Sequence, residues 1–260
     1  MLAYPQLETG AMSQFPVQKR RRLRTVLNTA ADGSCVKLAD PNGEYTEWTL
    51  TYSQLSDAEN SALEQFFAAA EGTLNGFTFL DPTSNLLAWS DQLNNAVWTC
   101  GPLLTITAGI ADPAGGANAW HVSNSGAGTQ SIVQTIMAPA GYLYCFSAYV
   151  RSSNAASVTM LLGNQREVAS VTPGWSRIVF TASGDLQASS IAFGLEIMPG
   201  KSLDVYGVQV EPQSGASTYK ASTTGGVYEN ARLGDDVLLT TATGVNQHSC
   251  TVKVFYGKHL

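Results

Sequence analysis

The stretch "TFLDPTSNLLAWS", Thr78 to Ser90, decides how the chain divides. The residues before it complete a helix-turn-strand pattern, and the residues after it have a different composition. If Asp81-Pro82-Thr83-Ser84-Asn85 is only a turn, there is one domain; if it is a seam, there are two. Charge separates the regions. Residues 1–84 hold 16 Asp, Glu, Lys and Arg, residues 225–260 hold 6, and the 140 residues between them hold 12. That middle, about half as charged as its flanks, is rich in Ser, Thr, Gly, Ala and Asn with short β-branched runs, the composition of an all-β sandwich. The expectation is a first domain in two parts, 1–84 and 225–260, carrying 85–224 as an insertion whose two ends lie side by side at "DPTSN" and "TTGGVYEN".

At 260 residues the chain can bury one large core or two ordinary ones. A net charge of -6 and a pI near 5.0 argue against a nucleic-acid or membrane-surface partner held by bulk electrostatics. No run of 18 apolar residues and no apolar leader in the first 25 residues is present, so neither a membrane span nor a secretory signal is expected, and the product starts in the cytoplasm. Cys35, Cys100, Cys145 and Cys250 are dispersed without a C-x-x-C pair, which disfavours a zinc site or a disulfide framework. Cys145 and Cys250 stand in strand-like runs and read as buried thiols.

In the first flank "RLRTVLNTA" and "EYTEWTLTY" alternate apolar and polar residues, and "DPNG" between them predicts the turn of a hairpin. Ser56-Asp57-Ala58-Glu59 is a capping box; Leu63, Phe66, Phe67 and Ala70 then share one helical face, and Gly72 supplies the stop. The strand "NGFTFLDP" closes the segment. At the far end "DDVLLTTATG" and "HSCTVKVFYGKHL", joined by "GVNQ", form a hairpin with nothing of its own to pack against, so it returns to the first flank. Together these predict a split β-barrel or sandwich with one amphipathic helix. The insertion reads as eight strands, "LLTITAG", "NAWHVSN", "TQSIVQTIM", "YLYCFSAYVRS", "SVTMLLG", "WSRIVFTAS", "SIAFGLEI" and "LDVYGVQVE", which suggests a jelly roll.

From "NLLAWSDQLNNAVWT" through "IVQTIMAPAGYLYCFSAYVRS" and "GWSRIVFTAS" to "LDVYGVQVEPQSGASTY", the insertion resembles the jelly-roll carbohydrate-binding modules of phage tail proteins. Pro212-Gln213-Ser214-Gly215 departs from that pattern's tighter Glu-x-Gly. The flanks, through "FPVQKRRRLRT", the Trp48 strand, the helix ending "FFAAAEGTLNGFTFLDP" and the returning strands, resemble the distal tail proteins of long-tailed phages and gene transfer agents. The resemblance implies a homo-hexameric ring at the tip of the tail tube, contacting tail-tube and tail-tip hub proteins. It also implies an insertion that binds host cell-surface polysaccharide, in a particle assembled in the host cytoplasm. A free-standing glycan-binding adhesion module is the alternative, and a polysaccharide-degrading enzyme a third reading.

Individual residues are weighed against these readings. Lys19, Arg20, Arg21, Arg22 and Arg24 form the one basic cluster, too isolated for sequence-specific nucleic-acid binding, and fit subunit contacts where Arg forks meet carboxylates. His121, His248 and His259 fall in no nucleophile or metal arrangement, and the insertion's seven acidic residues lie in turns or singly on strands, so no catalysis and no cofactor is expected. Sugar binding calls for aromatic rings against pyranose C–H faces and for amide or guanidinium groups on hydroxyls. The candidates are Trp120, Gln130, Gln134, Tyr142, Tyr144, Tyr149, Arg151 and Arg166, with Tyr149 and Arg151 sharing a strand face with Cys145 and Ser147. Trp98, Trp175 and Tyr206 stand at recurring positions of the module pattern and read as core. A structural calcium near Asp204 or Glu211 fits such folds, although no dense oxygen-ligand loop is visible.

Overall fold

The structure, a computed structural model, describes residues 2–257. Those residues are mainly β, with sixteen strands and one α-helix, and no helix among them is long and apolar enough to cross a membrane. They form two compact units. One comprises residues 8–12 and 80–227, the other residues 2–7, 13–79 and those from 228 on. Strands are numbered in chain order.

The second unit is one open sheet with the helix. It contains β1 (Val17–Thr29), β2 (Cys35–Leu55), α1 (Asp57–Ala70), β3 (Phe77–Leu80), β14 (Val227–Leu233), β15 (Thr240–Gly244) and β16 (Gln247–Gly257), in the sheet order β1-β2-β16-β14-β3 with β15 on β16. The path does not close into a barrel. Its core is aromatic: Tyr4 packs edge-on to Phe66 at 5.2 Å, Trp48 lies 5.0 Å from Phe79, and Phe66 lies 4.8 Å from Phe77. The capping box forms as the sequence predicts, Ser56 Oγ accepting from Glu59 N–H and Glu59 accepting from Ser56 N–H. Leu63, Phe66 and Ala70 are buried on its inner face. The helix stops one residue before Gly72, at Glu71, which itself takes a left-handed conformation with φ of 53°.

Three expectations for this unit need correction. The hairpin does not turn at "DPNG". It turns at Ala30–Ser34, where Gly33 takes φ of +84° and Asp32 Oδ1 accepts Ser34 N–H. Asp40–Glu44 lies inside β2 as an irregularity, opposite a register shift between Arg22 and Arg24. Pro41 is tolerated there because, among the described residues, β16 pairs with β2 only from Tyr45 onward and no third strand needs the missing N–H. "VYEN" at the end of the "TTGGVYEN" seam is not a linker but the start of β14. Val237 and Leu239, read as the start of a strand, are exposed and lie before it, since β15 begins at Thr240.

Among the described residues β16 pairs with β2 no further than Tyr45, and the tip of the hairpin, Arg24–Thr29 against Cys35–Asp40, is a two-stranded ribbon with no third strand beside it. It carries Leu27 and Val36, 59% and 56% exposed.

The first unit is a two-sheet sandwich. One sheet runs β10-β9-β12-β7-β4, from Gln165–Ser170, Ser157–Leu162, Ile191–Ile197, Gln130–Ile136 and Thr99–Cys100. The other runs β11-β8-β13-β6-β5, from Ser176–Ser183, Leu143–Arg151, Ser202–Glu211, Ala119–Asn124 and Leu104–Ile110. All eight expected strands are present, and β4 and β10 are additional. Alternation sets the inner face: Tyr144, Phe146, Ala148 and Val150 of β8 point inward, with Tyr144 and Phe146 5.3 and 6.1 Å from Phe193 of β12.

"DPTSN" is a hydrogen-bonded knot. Asp81, fully buried, accepts from Thr83 N–H and from the Thr83 and Ser84 hydroxyls, and its own N–H donates to Gly226 O at 2.9 Å, which ties the entering and leaving chains together. Asn85 Oδ1 then accepts from Leu87 and Val210 N–H and so belongs to the sandwich.

Candidate functional site

The outer face of the β11-β8-β13-β6-β5 sheet gathers side chains that the sequence scatters between residues 121 and 206. Period-two alternation turns His121, Tyr149, Arg151, Asp204 and Tyr206 outward, and strand register aligns them in rows. His121 stands opposite Asp204, which stands opposite Arg151. Tyr206 stands opposite Tyr149, and Tyr149 opposite Arg177.

Contacts lock the first row. His121 Nδ1 is 2.7 Å from Asp204 Oδ1, Arg151 Nε donates to Asp204 Oδ2 at 2.8 Å, and the Arg151 guanidinium lies 4.8 Å from the Trp175 ring. In the second row Arg177 lies 5.3 Å from the Tyr149 ring, Tyr149 6.0 Å from Tyr206, and Tyr206 5.4 Å from Tyr219. Burial first, then the nearby Asp112 carboxylate, raises the Tyr206 phenol above its ordinary pKa. The second row depends on a bulge after Tyr206. Gly207 sits in it at φ +62°, and a Cβ there would meet both Tyr149 and Tyr219 at 3.2 Å.

One half of this face is roofed. Residues 211–220 fold back over Cys145, Ser147 and Gln209. Arg177 Nη1 donates to Ser217 O at 2.5 Å and Nη2 to Ser147 Oγ at 2.9 Å, Thr181 Oγ1 donates to Ser214 O, and Lys220 N–H to Gln209 Oε1. Beneath the roof Glu211 is buried and accepts from Gln209 Nε2, Ser217 N–H, Ser217 Oγ and Gln213 Nε2. The other half is open. Around Arg151, His121 and Asp204 it dips into a hollow of about 430 Å³, completed by Ile110, Ser152, Ser153, Pro173 and Ser202. The open half thus offers ring faces, a guanidinium held by two neighbours, and hydroxyls, which is the chemistry that grips a sugar.

Of the eight residues expected to contact a glycan, Tyr149 and Arg151 meet here. The others do not join them. Tyr144 is fully buried on the inner face, its hydroxyl donating to Pro139 O at 2.7 Å. Gln134, 4% exposed, brackets Ala88, accepting from its N–H and donating to its carbonyl. Trp120 is on the opposite face of β6 from His121, with Nε1 donating to Asp91 O. Gln130 faces Gly101 and Leu103 N at the sandwich edge. Tyr142 is half-buried in the turn before β8, where burial pushes its phenol up to about 12. Arg166 is on the outer face of the other sheet, 3.1 Å from Glu196.

Trp98 is core as expected, buried with Nε1 donating to Trp89 O, but Trp175 and Tyr206 are on the open face instead. Their outward parity was visible in "WSRIVF" and "LDVYGV", where Ile178, Phe180, Leu203 and Val205 take the inner positions. His121 and Asp204 could be added only from cross-strand register. Both oxygens of Asp204 and both of Glu211, the two carboxylates considered for calcium, already face protein donors. No cluster of three or more His, Cys, Asp or Glu suited to a metal occurs among the described residues.

In the other unit the basic cluster lies along β1, an edge strand. Arg21 bonds Glu44, Arg22 Nη1 donates to Tyr45 Oη at 3.2 Å, Arg24 lies 3.3 Å from Asp40, and Lys19 Nζ sits 5.4 Å over Trp48. Three of the arginines therefore pair inside their own hairpin, and Arg20 has no partner among the described residues. His248 Nε2 is 2.7 Å from Asp57, and His259 lies outside the described residues.

No family model and no curated protein matches the chain. Solved structures similar to it include the enzymatically active domain of tailspike protein 4 of bacteriophage CBA120, at 13% identity and TM-score 0.40 over 51% of this chain and 22% of that one. The C-terminal family 22 carbohydrate-binding module of Clostridium thermocellum Xyn10B is similar at 12% identity and TM-score 0.41, over 53% of this chain and 98% of that one. A CBM4 module is similar at 16% identity and TM-score 0.37, over 51% and 96%. The chain spans about a fifth of the tailspike domain's length, and at these scores no ligand or activity is transferred from any of the three.

Proposed function

We propose that this chain is a structural subunit of a phage or phage-like tail tip whose sandwich unit binds host cell-surface polysaccharide and whose other unit assembles into a hexameric ring. One observation carries the glycan reading: Trp175, Arg151, Asp204 and His121 stand in a contacting row on the open half of one sheet face, with Tyr149 and Tyr206 beside them. Solvent-facing aromatic rings next to a preoriented guanidinium are costly to expose without a ligand to cover them. The ring reading is supported by the open edge of β1 and by the ribbon tip, whose exposed Leu27 and Val36 and strand edges, with no third strand beside them among the described residues, invite a neighbouring subunit. Tail-tube and tail-tip hub proteins would be its further partners. The tail-tip assignment itself rests on the sequence resemblance. The chain is read as non-catalytic: Asp204 and Glu211, on the strands of the candidate face, are engaged by donors, and Asp112 near Tyr206 accepts from Ala114, Gly116 and Asn118 N–H.

The mass of the assembled full-length protein tests this directly: a ring of six supports it, and a stable monomer at assembly concentrations supports a free-standing glycan-binding module in its place. Replacing residues 85–224 with a few flexible residues tests the division of labour. The entering and leaving chains are already joined at Asp81 and Gly226, so closing the gap costs little. The shortened chain is expected to fold and still assemble. An insoluble product would place the assembly surface, or part of its core, in the sandwich.

A further inference from the structure

We propose that the hollow at Arg151 takes the carboxylate of an acidic sugar, so that the polysaccharide recognised is a uronate-containing polymer. This rests on the glycan-binding reading and narrows it to a ligand class.

The guanidinium of Arg151 is held on two sides. Asp204 takes Nε–H at 2.8 Å, and Arg151 Cζ lies 4.8 Å from the centroid of the Trp175 ring. Neither Nη nitrogen has a hydrogen-bond partner among the described residues, although the side chain is only 31% exposed. A planar fork whose orientation is fixed in advance loses little entropy when it binds, and its two parallel N–H groups match a carboxylate better than a single hydroxyl.

The rest of the lining agrees. Asp204, the one carboxylate of the hollow, has one oxygen on His121 Nδ1 and the other on Arg151, so two of its acceptor sites are already taken. Ser152 Oγ is engaged with Ser202 O and Asn154, and Ser202 Oγ with Asn154. The donors left without a partner among the described residues are the two Nη nitrogens of the cation. A neutral sugar hydroxyl meets them without charge; a uronate carboxylate meets both at once and brings the opposite charge. With a net charge of -6 the chain does not attract polyanions in general, so uptake of one would report the local site.

The experiment measures binding of the full-length protein to immobilised polygalacturonate, alginate and hyaluronan, each native and after chemical reduction of its carboxylates to hydroxymethyl groups. Neutral xylan and galactan are included. Retention on at least one native uronate polymer, lost on carboxyl reduction and weakened about tenfold or more by Arg151→Gln, is the expected result. Arg151→Lys keeps the charge but not the fork and is expected to fall between, which secures the test if the Gln variant folds poorly. Arg166→Gln, on the outer face of the other sandwich sheet, is expected to change nothing. Equal retention by native and reduced polymers, insensitivity to both Arg151 variants, or loss with Arg166→Gln overturns the proposal. Retention on xylan or galactan with none on the uronates overturns it while leaving the glycan reading standing. No retention on any polymer overturns both.

Discussion

The two outer faces of the sandwich follow the same rule of alternation and end up unalike. On the β10-β9-β12-β7-β4 sheet the outward positions are Arg166, Val168, Leu161, Thr159, Gly194, Glu196, Val133 and Thr135, with no aromatic ring among them. On the β11-β8-β13-β6-β5 sheet they include Trp175 beside β11, Tyr149, Tyr206, Arg151, Asp204 and His121. Alternation makes an outer face in either case. Register and roof make a site of one: cross-strand neighbours interlock into rows, and residues 211–220 cover half the face and leave the other half open. Where a solvent-facing position holds a large ring already gripped by a neighbour, its free side is the informative one.

Substitutions can break or sharpen this contrast, and their expected effects descend from the core outward. Phe193→Ala, between Tyr144 and Phe146 on the shared inner face, is expected to cost about 3–5 kcal/mol in denaturant unfolding and to remove binding only through loss of the fold. Glu211→Ala strips the acceptors under the roof, leaving Ser217 N–H without its partner and Gln209 Nε2 with only the longer contacts of 3.4 to 3.5 Å to Ser217 and Thr218. It is expected to cost about 1–3 kcal/mol and to loosen residues 211–220, read as faster amide exchange there.

Tyr219→Phe removes the contact with Ser90 Oγ at 3.1 Å and should cost about 1 kcal/mol or less. The same residue adds a pH signature. Burial raises its phenol to about 12 in the fold, against about 10 in an unfolded chain, so folding retains the proton. That contribution is complete below pH 10 and is lost as pH rises toward 12, and the stability curve of the Phe variant is expected to be flatter over that window. Smallest of all, Arg166→Ala and Val168→Ser on the opposite face should change stability by no more than about 0.5 kcal/mol and leave glycan retention untouched. A loss of binding there would reverse the assignment of faces.

Much of the fold was legible in the sequence because strand periodicity is local. "YLYCFSAYV" and "SIAFGLEI" carry their own period-two signal, and Ser56 and Glu59 announce the helix three residues apart. The hairpin turn was misread because "DPNG" has stronger turn chemistry than "ADGS", while Pro41 sits where, among the described residues, no third strand demands its N–H. The site was half legible. Tyr149 and Arg151 follow from parity within one strand, whereas the pairing of Asp204 with Arg151 and His121 depends on register between strands 50 to 80 residues apart, which one sequence does not encode locally. Trp175 and Tyr206 were placed in the core because they recur in a family pattern, although their own alternation turned them outward. Tyr144 and Gln134 show the converse, polar-tipped residues whose hydrogen bonds are all satisfied inside.

The most direct measurement of the account is retention of the full-length protein, coupled in many copies to a bead, on a glycan array of host-derived polysaccharides, run beside Trp175→Ala with the fold of both confirmed by circular dichroism. Trp175 is half-buried, stacks on Arg151 and lies outside the inner core, so its removal should leave the melting temperature within a few degrees of the parent. The account predicts that the parent is held by at least one polysaccharide and that Trp175→Ala weakens this about tenfold or more. Retention by the variant equal to that of the parent, or no retention of the folded parent on any glycan, would contradict it.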